Sequence, residues 1–214
     1  FPAINAYESV YSSGKATVRD LGDYAFLLAR HGMKYIRQAE KIYENALKLG
    51  SKQKTEHYYL IHTKIISLMC QQEKYEQCIG KYKLMLDKEP DNWWNHYLLS
   101  LAYLQANQAE NAWKSLEQTL NTIDHNFYLS TLAGDISEKL GNYENAFSFW
   151  QKAYYENPKQ ISCLYSKAFL FEKLNQKTEA IEVWQTIIKW HHDNNQFHDH
   201  ETDMPLKHIE LLLA

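Results

Sequence analysis

The chain has 214 residues, a formal charge of −3 and 45% hydrophobic residues, enough apolar side chains for a continuous core and no basic block to hold a nucleic-acid backbone. Seven Gly and four Pro over that length suit long helices joined by short turns and argue against a sandwich or a barrel. No apolar run approaches the roughly 18 residues of a membrane span, and the three cysteines, Cys70, Cys78 and Cys163, stand at spacings that make neither a disulfide framework nor a zinc knuckle.

Residues 1–19 are rich in Ser, Gly and Tyr and only weakly periodic, so an N-terminal tail or irregular segment, the latter as an irregular first helix, is expected there. The sequence opens on Phe1 rather than Met, which points to a processed or excised piece of a longer protein. A first unit over 20–53 carries Ala39, Tyr43, Ala46 and Leu47, and residues 54–58 read as a small insertion after it. Four further units, 59–92, 93–126, 127–160 and 161–194, then follow without a gap. Their register is set by small residues 34 apart, Cys78, Ala112, Ala146 and Ala180. The same step joins Asn107, Gly141 and Asn175, takes Trp150 to Trp184 and, doubled, takes Pro90 to Pro158. Such a period holds two antiparallel helices and two turns.

Four places after each small residue comes a large one, Tyr43, Tyr82, Leu116, Trp150 or Trp184. Positions i and i+4 share a helix face, so the small residue admits a neighbouring helix while the large one fills the gap between pairs. Asn107, Gly141 and Asn175 fall between the helices of a pair, where a left-handed residue is favoured and Gly or Asn enters cheaply. Pro90 and Pro158 mark the exit of the second helix. Asp193, Asn194 and Asn195 end the last repeat helix, and residues 195–214 read as a His-rich linker and a C-terminal capping helix that follows Pro205 with Leu206, Ile209, Leu211, Leu212 and Leu213.

The unit 127–160, with Leu132, Ala133 and Gly134, then Leu140, Gly141, Asn142 and Tyr143, then Ala146, Trp150, Ala153 and Pro158, resembles the tetratricopeptide repeat. Ser100, Gly134 and Ala168 fit that family's small place in the first helix, whereas Leu27 and Ile66 depart from it, so altered packing angles are expected in the first two pairs. The resemblance extends over about 20–194 and implies an all-α, right-handed α-solenoid of about five helix-turn-helix repeats with a capping helix. It also implies a protein–protein interaction scaffold or adaptor that takes a peptide segment or helix along the first helices of its pairs. Carrying the family's second, fifth and ninth places across gives Tyr24 and Leu28; Leu60, Thr63 and Ser67; Trp94, Tyr97 and Leu101; Tyr128, Thr131 and Asp135; and Ser162, Tyr165 and Phe169. The expected groove is aromatic and nearly uncharged, with Asp135 as a lone polar reader. Chaperone-binding members of the family place Lys, Arg and Asn there to clamp a terminal carboxylate, and those residues are missing at these places.

No Gly-rich phosphate loop, Gly-x-Ser-x-Gly or His-Glu-x-x-His occurs, so neither an enzyme nor a cofactor is expected. Five of the ten histidines, His191, His192, His198, His200 and His208, crowd the C-terminal stretch, and a metal at His198 and His200 is the weaker alternative to a plain linker, because the spacings match no ordered ligand set. The expected partner is a protein or peptide, with neither nucleic acid nor membrane, and the expected location is cytoplasmic. The rival reading makes this chain the C-terminal sensor half of a bacterial transcriptional regulator, with a DNA-binding domain before Phe1.

Overall fold

The computed structural model describes residues 2–194 and 199–213, and among them only helices and turns occur. The helices are α1 (Pro2–Ser12), α2 (Val18–Arg30), α3 (Ile36–Gly50), α4 (Glu56–Gln71), α5 (Tyr75–Lys88), α6 (Trp93–Gln105), α7 (Ala109–Thr122), α8 (Phe127–Lys139), α9 (Tyr143–Glu156), α10 (Ser162–Lys173), α11 (Lys177–Asp193) and α12 (Asp199–Leu213). They form two compact units, 1–115 and 116–214.

The turn inside each of the last four pairs has one geometry. Glu73, Asn107, Gly141 and Asn175 have φ of 58°, 62°, 77° and 57°. Around them the amides of Lys74, Gln108, Asn142 and Gln176 donate five residues back, to the carbonyls of Met69, Tyr103, Ser137 and Phe171, at 3.0, 2.9, 2.8 and 2.9 Å. A second bond nests inside each, as from Glu73 to Cys70 at 2.9 Å. This pair of bonds absorbs carbonyls that the helix end leaves without a partner. Three of these residues are the expected Asn and Gly, while Glu73 takes the same left-handed conformation against its side-chain preference. The first pair differs: Gly32, at φ 120°, leads through a short 3-10 turn at Met33–Tyr35 into α3.

Helix starts follow the sequence as well. Thr17 and Asp20 cap α2 reciprocally, while the side chains of Asn92 and Asn126, one period apart, accept from the amides of Trp94 and Tyr128 at 3.1 and 3.0 Å.

In unit 1 the core joins Leu21, Ala25 and Leu28 of α2 to Ala39, Ile42, Tyr43 and Ala46 of α3 and to Ile61, Ile65 and Leu68 of α4. Of the two readings of the first 19 residues, a tail or an irregular first helix, the structure has a helix: α1 lays Ile4 and Tyr7 on this core, with the Tyr7 ring stacked 6.3 Å from that of Tyr24. Unit 2 buries Ala146, Trp150, Ala153, Cys163 and Leu170 in one cluster, and Ile161, Leu164, Ala168, Ala180, Trp184 and Ile187 in another. The small residues Ala39, Cys78, Ala112, Ala146 and Ala180 are fully buried, and so are Tyr82, Leu116, Trp150 and Trp184. The three cysteines are buried and free. At Gly134 an added Cβ would collide with the Trp150 indole, so the smallest residue stands where the largest one presses.

Helix α12 packs on the last pair through Ile209 and Leu212. It starts at Asp199, so Pro205 lies inside it rather than ahead of it, and Leu206 is exposed.

Candidate functional site

The first helices of the pairs, α2, α4, α6, α8 and α10, carry every residue the groove was expected to use. In unit 1 the first two are lost to the core. Tyr24 and Leu28 are 2% and 1% exposed, because α1 covers Tyr24 with Tyr7 and Tyr11 and because Leu28 faces α3. Leu60, Tyr97 and Leu101 are half-buried. Trp94 closes against other rings: it stacks on Tyr59 at 5.0 Å and 3° and on Trp93 at 4.2 Å and 22°, and meets the edge of Tyr97 at 5.6 Å, which leaves it 8% exposed. Asn92 donates to the Tyr59 hydroxyl at 2.7 Å and fixes that stack from below. Behind it, His62 is held neutral, its pKa pushed down to about 3 by burial and by nearby Lys81, while the Tyr82 hydroxyl donates to the His62 carbonyl at 3.1 Å.

Tyr59 and Trp93 were not among the expected residues. They occupy the first place of successive units, as Phe127 and Ile161 do, so the 34-residue step marks them as a recurring large apolar position. The expectation of a nearly uncharged face also needs correction in this unit. Leu60 lines a cleft of about 290 Å³ with Arg19, Asp23, His57 and Lys64, where Lys64 donates to Asp23 at 2.7 Å and Arg19 approaches the same carboxylate at 3.8 Å. These charges sit on α2 and α4 one or more places away from the positions the family's spacing selects, which is why counting places missed them.

In unit 2 the first helices present Tyr128 and Tyr165, both half-buried, and Phe169, 43% exposed. Phe169 meets the edge of Trp184 at 5.1 Å and the His208 ring of α12 at 5.3 Å. The Tyr165 hydroxyl lies 3.0 Å from His191 Nε2, which ties it to α11. Asp135 is half-buried and already holds one bond. Its Oδ1 accepts from the Trp150 indole N–H at 2.9 Å, and burial lifts its pKa to about 6, with the indole bond pulling down and Glu138 adding repulsion. Of the weaker metal alternative, His198 and the His200 side chain lie outside the described residues; among those described, no three His, Cys, Asp or Glu group to hold a metal.

Helix pairs in one register, each closed by the same left-handed turn and wedged by the same small and large residues, define a helical repeat protein. Residues 129–160 match the family model described as the tetratricopeptide repeat, and the pairs flanking this segment share its turn and its spacing. A TPR repeat-containing protein of Methanocaldococcus jannaschii is 43% identical over 56 residues, which make up 26% of this chain and 10% of that protein. The matched segment is thus about a tenth of the relative's length. A thermophilic TPR protein of Thermus thermophilus superposes with a TM-score of 0.64 at 13% identity, covering 100% of this chain and 98% of that one. A tetratricopeptide repeat protein from Parabacteroides merdae gives 0.57 at 14%, covering 99% and 92%. At these identities the likeness is one of fold, an all-α repeat solenoid. It is a fold suited to protein–protein interaction. Among the described residues no helix is long and apolar enough to cross a membrane.

Proposed function

We propose that the chain is an interaction scaffold, without catalysis of its own, that binds a peptide segment or helix on the first helices of its pairs. The observation that carries the reading is the packing at Phe169: the exposed ring and its neighbour Trp184 already receive a side chain of another helix, His208 of α12, stacked 4.9 Å from the indole. A surface that takes one helix by ring stacking has the chemistry to take another. In unit 1 the half-buried Tyr97 and Leu101 offer an aromatic and an aliphatic anchor one helical turn apart, and in unit 2 Tyr128 and Tyr165 offer rings that are partly open. Large rigid side chains of this kind concentrate at interface centres. The charged cleft around Leu60 adds a place where a ligand's polar group meets Lys64 and Asp23.

The test replaces Tyr97 and Tyr165 by Ala together and measures binding of the partner captured by the intact chain. Affinity should fall by about 2–4 kcal/mol with the helical signal intact. Unchanged affinity in a folded double variant would move the binding surface elsewhere.

A further inference from the structure

The first helices of unit 1 also present charge, and it does not cancel. On α2, Arg19, Asp23, Phe26 and Arg30 stand at i, i+4, i+7 and i+11, so they share one face over three turns. Beside them, His57, Leu60 and Lys64 of α4 line the cleft of about 290 Å³ that the two helices enclose. The helices meet closely beneath it: a Cβ added at Gly22 would come within 3.1 Å of Ile61.

Lys64 Nζ donates to Asp23 at 2.7 Å and lies 5.2 Å from the centre of the Phe26 ring, which is 38% exposed. The Arg30 guanidinium stands 5.7 Å from the same ring and pairs with no carboxylate among the described residues. Arg19, its side chain 72% exposed, approaches Asp23 only to 3.8 Å, and an open pair of that length holds its cation weakly. Asp20, the other acid of α2, accepts from the Thr17 amide and hydroxyl at the helix cap. With histidine neutral, Arg19, Arg30 and Lys64 against Asp23 leave two positive charges in surplus, and one is left when Glu56 of the first turn of α4 is counted too. The next first helix, α6, has no Lys, Arg, Asp or Glu.

We propose that this cleft takes an acidic segment of a partner polypeptide, with side-chain carboxylates on Arg19 and Arg30 and an uncharged apolar residue laid over Phe26 between them. The site deepens the scaffold reading and rests on it. The helix sets the spacing. Eleven residues at about 1.5 Å each part the two arginines by about 16 Å along α2, or about five steps of an extended chain at about 3.3 Å per step. Each guanidinium offers a carboxylate two parallel N–H bonds. Between them the segment carries no acid, because Asp23 repels one there and Lys64 is already bonded to Asp23.

The probe is the capped peptide Ac-Glu-Ala-Ala-Leu-Ala-Glu-NH2, titrated into the full chain while the backbone amides of α2 and α4 are followed by NMR. Saturable shifts concentrated on those two helices and weakened by added salt are expected. Replacing both peptide Glu residues by Gln should weaken binding at least about tenfold, and setting them side by side, as in Ac-Ala-Glu-Glu-Leu-Ala-Ala-NH2, at least about threefold. The Gln peptide with a free C-terminal carboxylate separates recognition of a chain end from recognition of side chains, and should bind no better than its amide. Arg30→Gln, an exposed change, should weaken the acidic peptide at least about fivefold, whereas Lys159→Gln, which removes an exposed charge in unit 2, should leave it within about twofold. Absent shifts, equal binding of the Gln peptide, of the side-by-side acids or of the free chain end, or equal effects of the two variants would each overturn the site. No captured partner enters these titrations. A silent peptide together with partner binding lost in the Tyr97 and Tyr165 double variant strikes this site alone, while a bound peptide together with partner binding unchanged there strikes the wider groove alone.

Discussion

The two pairs α8–α9 and α10–α11 hold the same wedge in different ways. Trp150 and Trp184 stand one period apart, both fully buried, and each indole N–H must find an acceptor. In the first pair the acceptor is Asp135, and Gly134 beside it leaves room for the ring. In the second the places of Gly134 and Asp135 are taken by Ala168 and Phe169, neither with an acceptor to offer from its side chain, and the N–H reaches instead to Glu172, one turn further along α10, at 2.7 Å. Glu172 is then shared: His208 Nδ1 lies 2.9 Å from the same oxygen, and its ring stacks on the indole. One wedge is thus sealed by a glycine and a half-buried acid, the other by a carboxylate that α12 helps to cover. The position of the tryptophan belongs to the repeat, while its polar partner is chosen locally.

The comparison breaks first at the wedge itself. Trp150→Ala should cost about 3–5 kcal/mol in urea unfolding. Trp184→Ala should cost a similar amount and in addition speed amide exchange throughout α12, since it removes the platform under His208; equal exchange in the two variants would show that α12 does not lean on that ring.

The next largest effect comes from pH. The folded chain holds Asp135 at about 6 against 3.8 for the free side chain, so the fold favours the protonated form. The stability this provides is fully present below about pH 4 and is lost as pH rises through 6, a fall of roughly 2–3 kcal/mol at most. Asp135→Asn keeps an acceptor for the indole and should remove this component of the pH dependence; an unaltered pH profile would place the titrating group elsewhere.

Gly134→Ala sharpens the contrast at a smaller scale. The added methyl should cost about 1–3 kcal/mol beside Trp150 and much less in a Trp150→Ala background, a coupling read from the double-mutant cycle. Additive costs would mean that the indole is not what the methyl strikes.

The smallest expected effect is His208→Ala, about 0.5–1.5 kcal/mol for a stacked ring and one hydrogen bond, seen as increased exchange in α12 alone. Loosening that spreads to α8 and α9 would contradict the local origin assigned to it.

The repeat was legible because packing writes itself at a fixed period: Cys78, Ala112, Ala146 and Ala180 are all fully buried, and the aromatic and aliphatic residues four places on fill the interior beside them. Glu73 was not legible as a left-handed residue, since that conformation is normally signalled by Gly or Asn, and here the two turn hydrogen bonds impose it on a glutamate. Helix α1 was legible only as one of two readings, because its mixture of Ser, Tyr and apolar residues gives little periodicity, and tertiary contact of Tyr7 and Tyr11 with Tyr24 accompanies the helix. The same contact explains why Tyr24 is buried. Trp94 left the open surface because a single sequence does not say which of two rings in a doublet will stack inward on Tyr59.

The common turn at Glu73, Asn107, Gly141 and Asn175 carries a consequence for how such a chain can grow. Its geometry fixes the phase between one helix and the next, and every wedge downstream depends on that phase. One extra residue within a helix would swing all later side chains of that helix by about 100° and turn its small and large residues away from their partners. Duplicating a whole 34-residue unit would leave each residue facing as before. Length in this protein is therefore quantised: a whole cassette added or removed leaves the packing faces in phase, whereas a single residue inserted inside a helix turns them away.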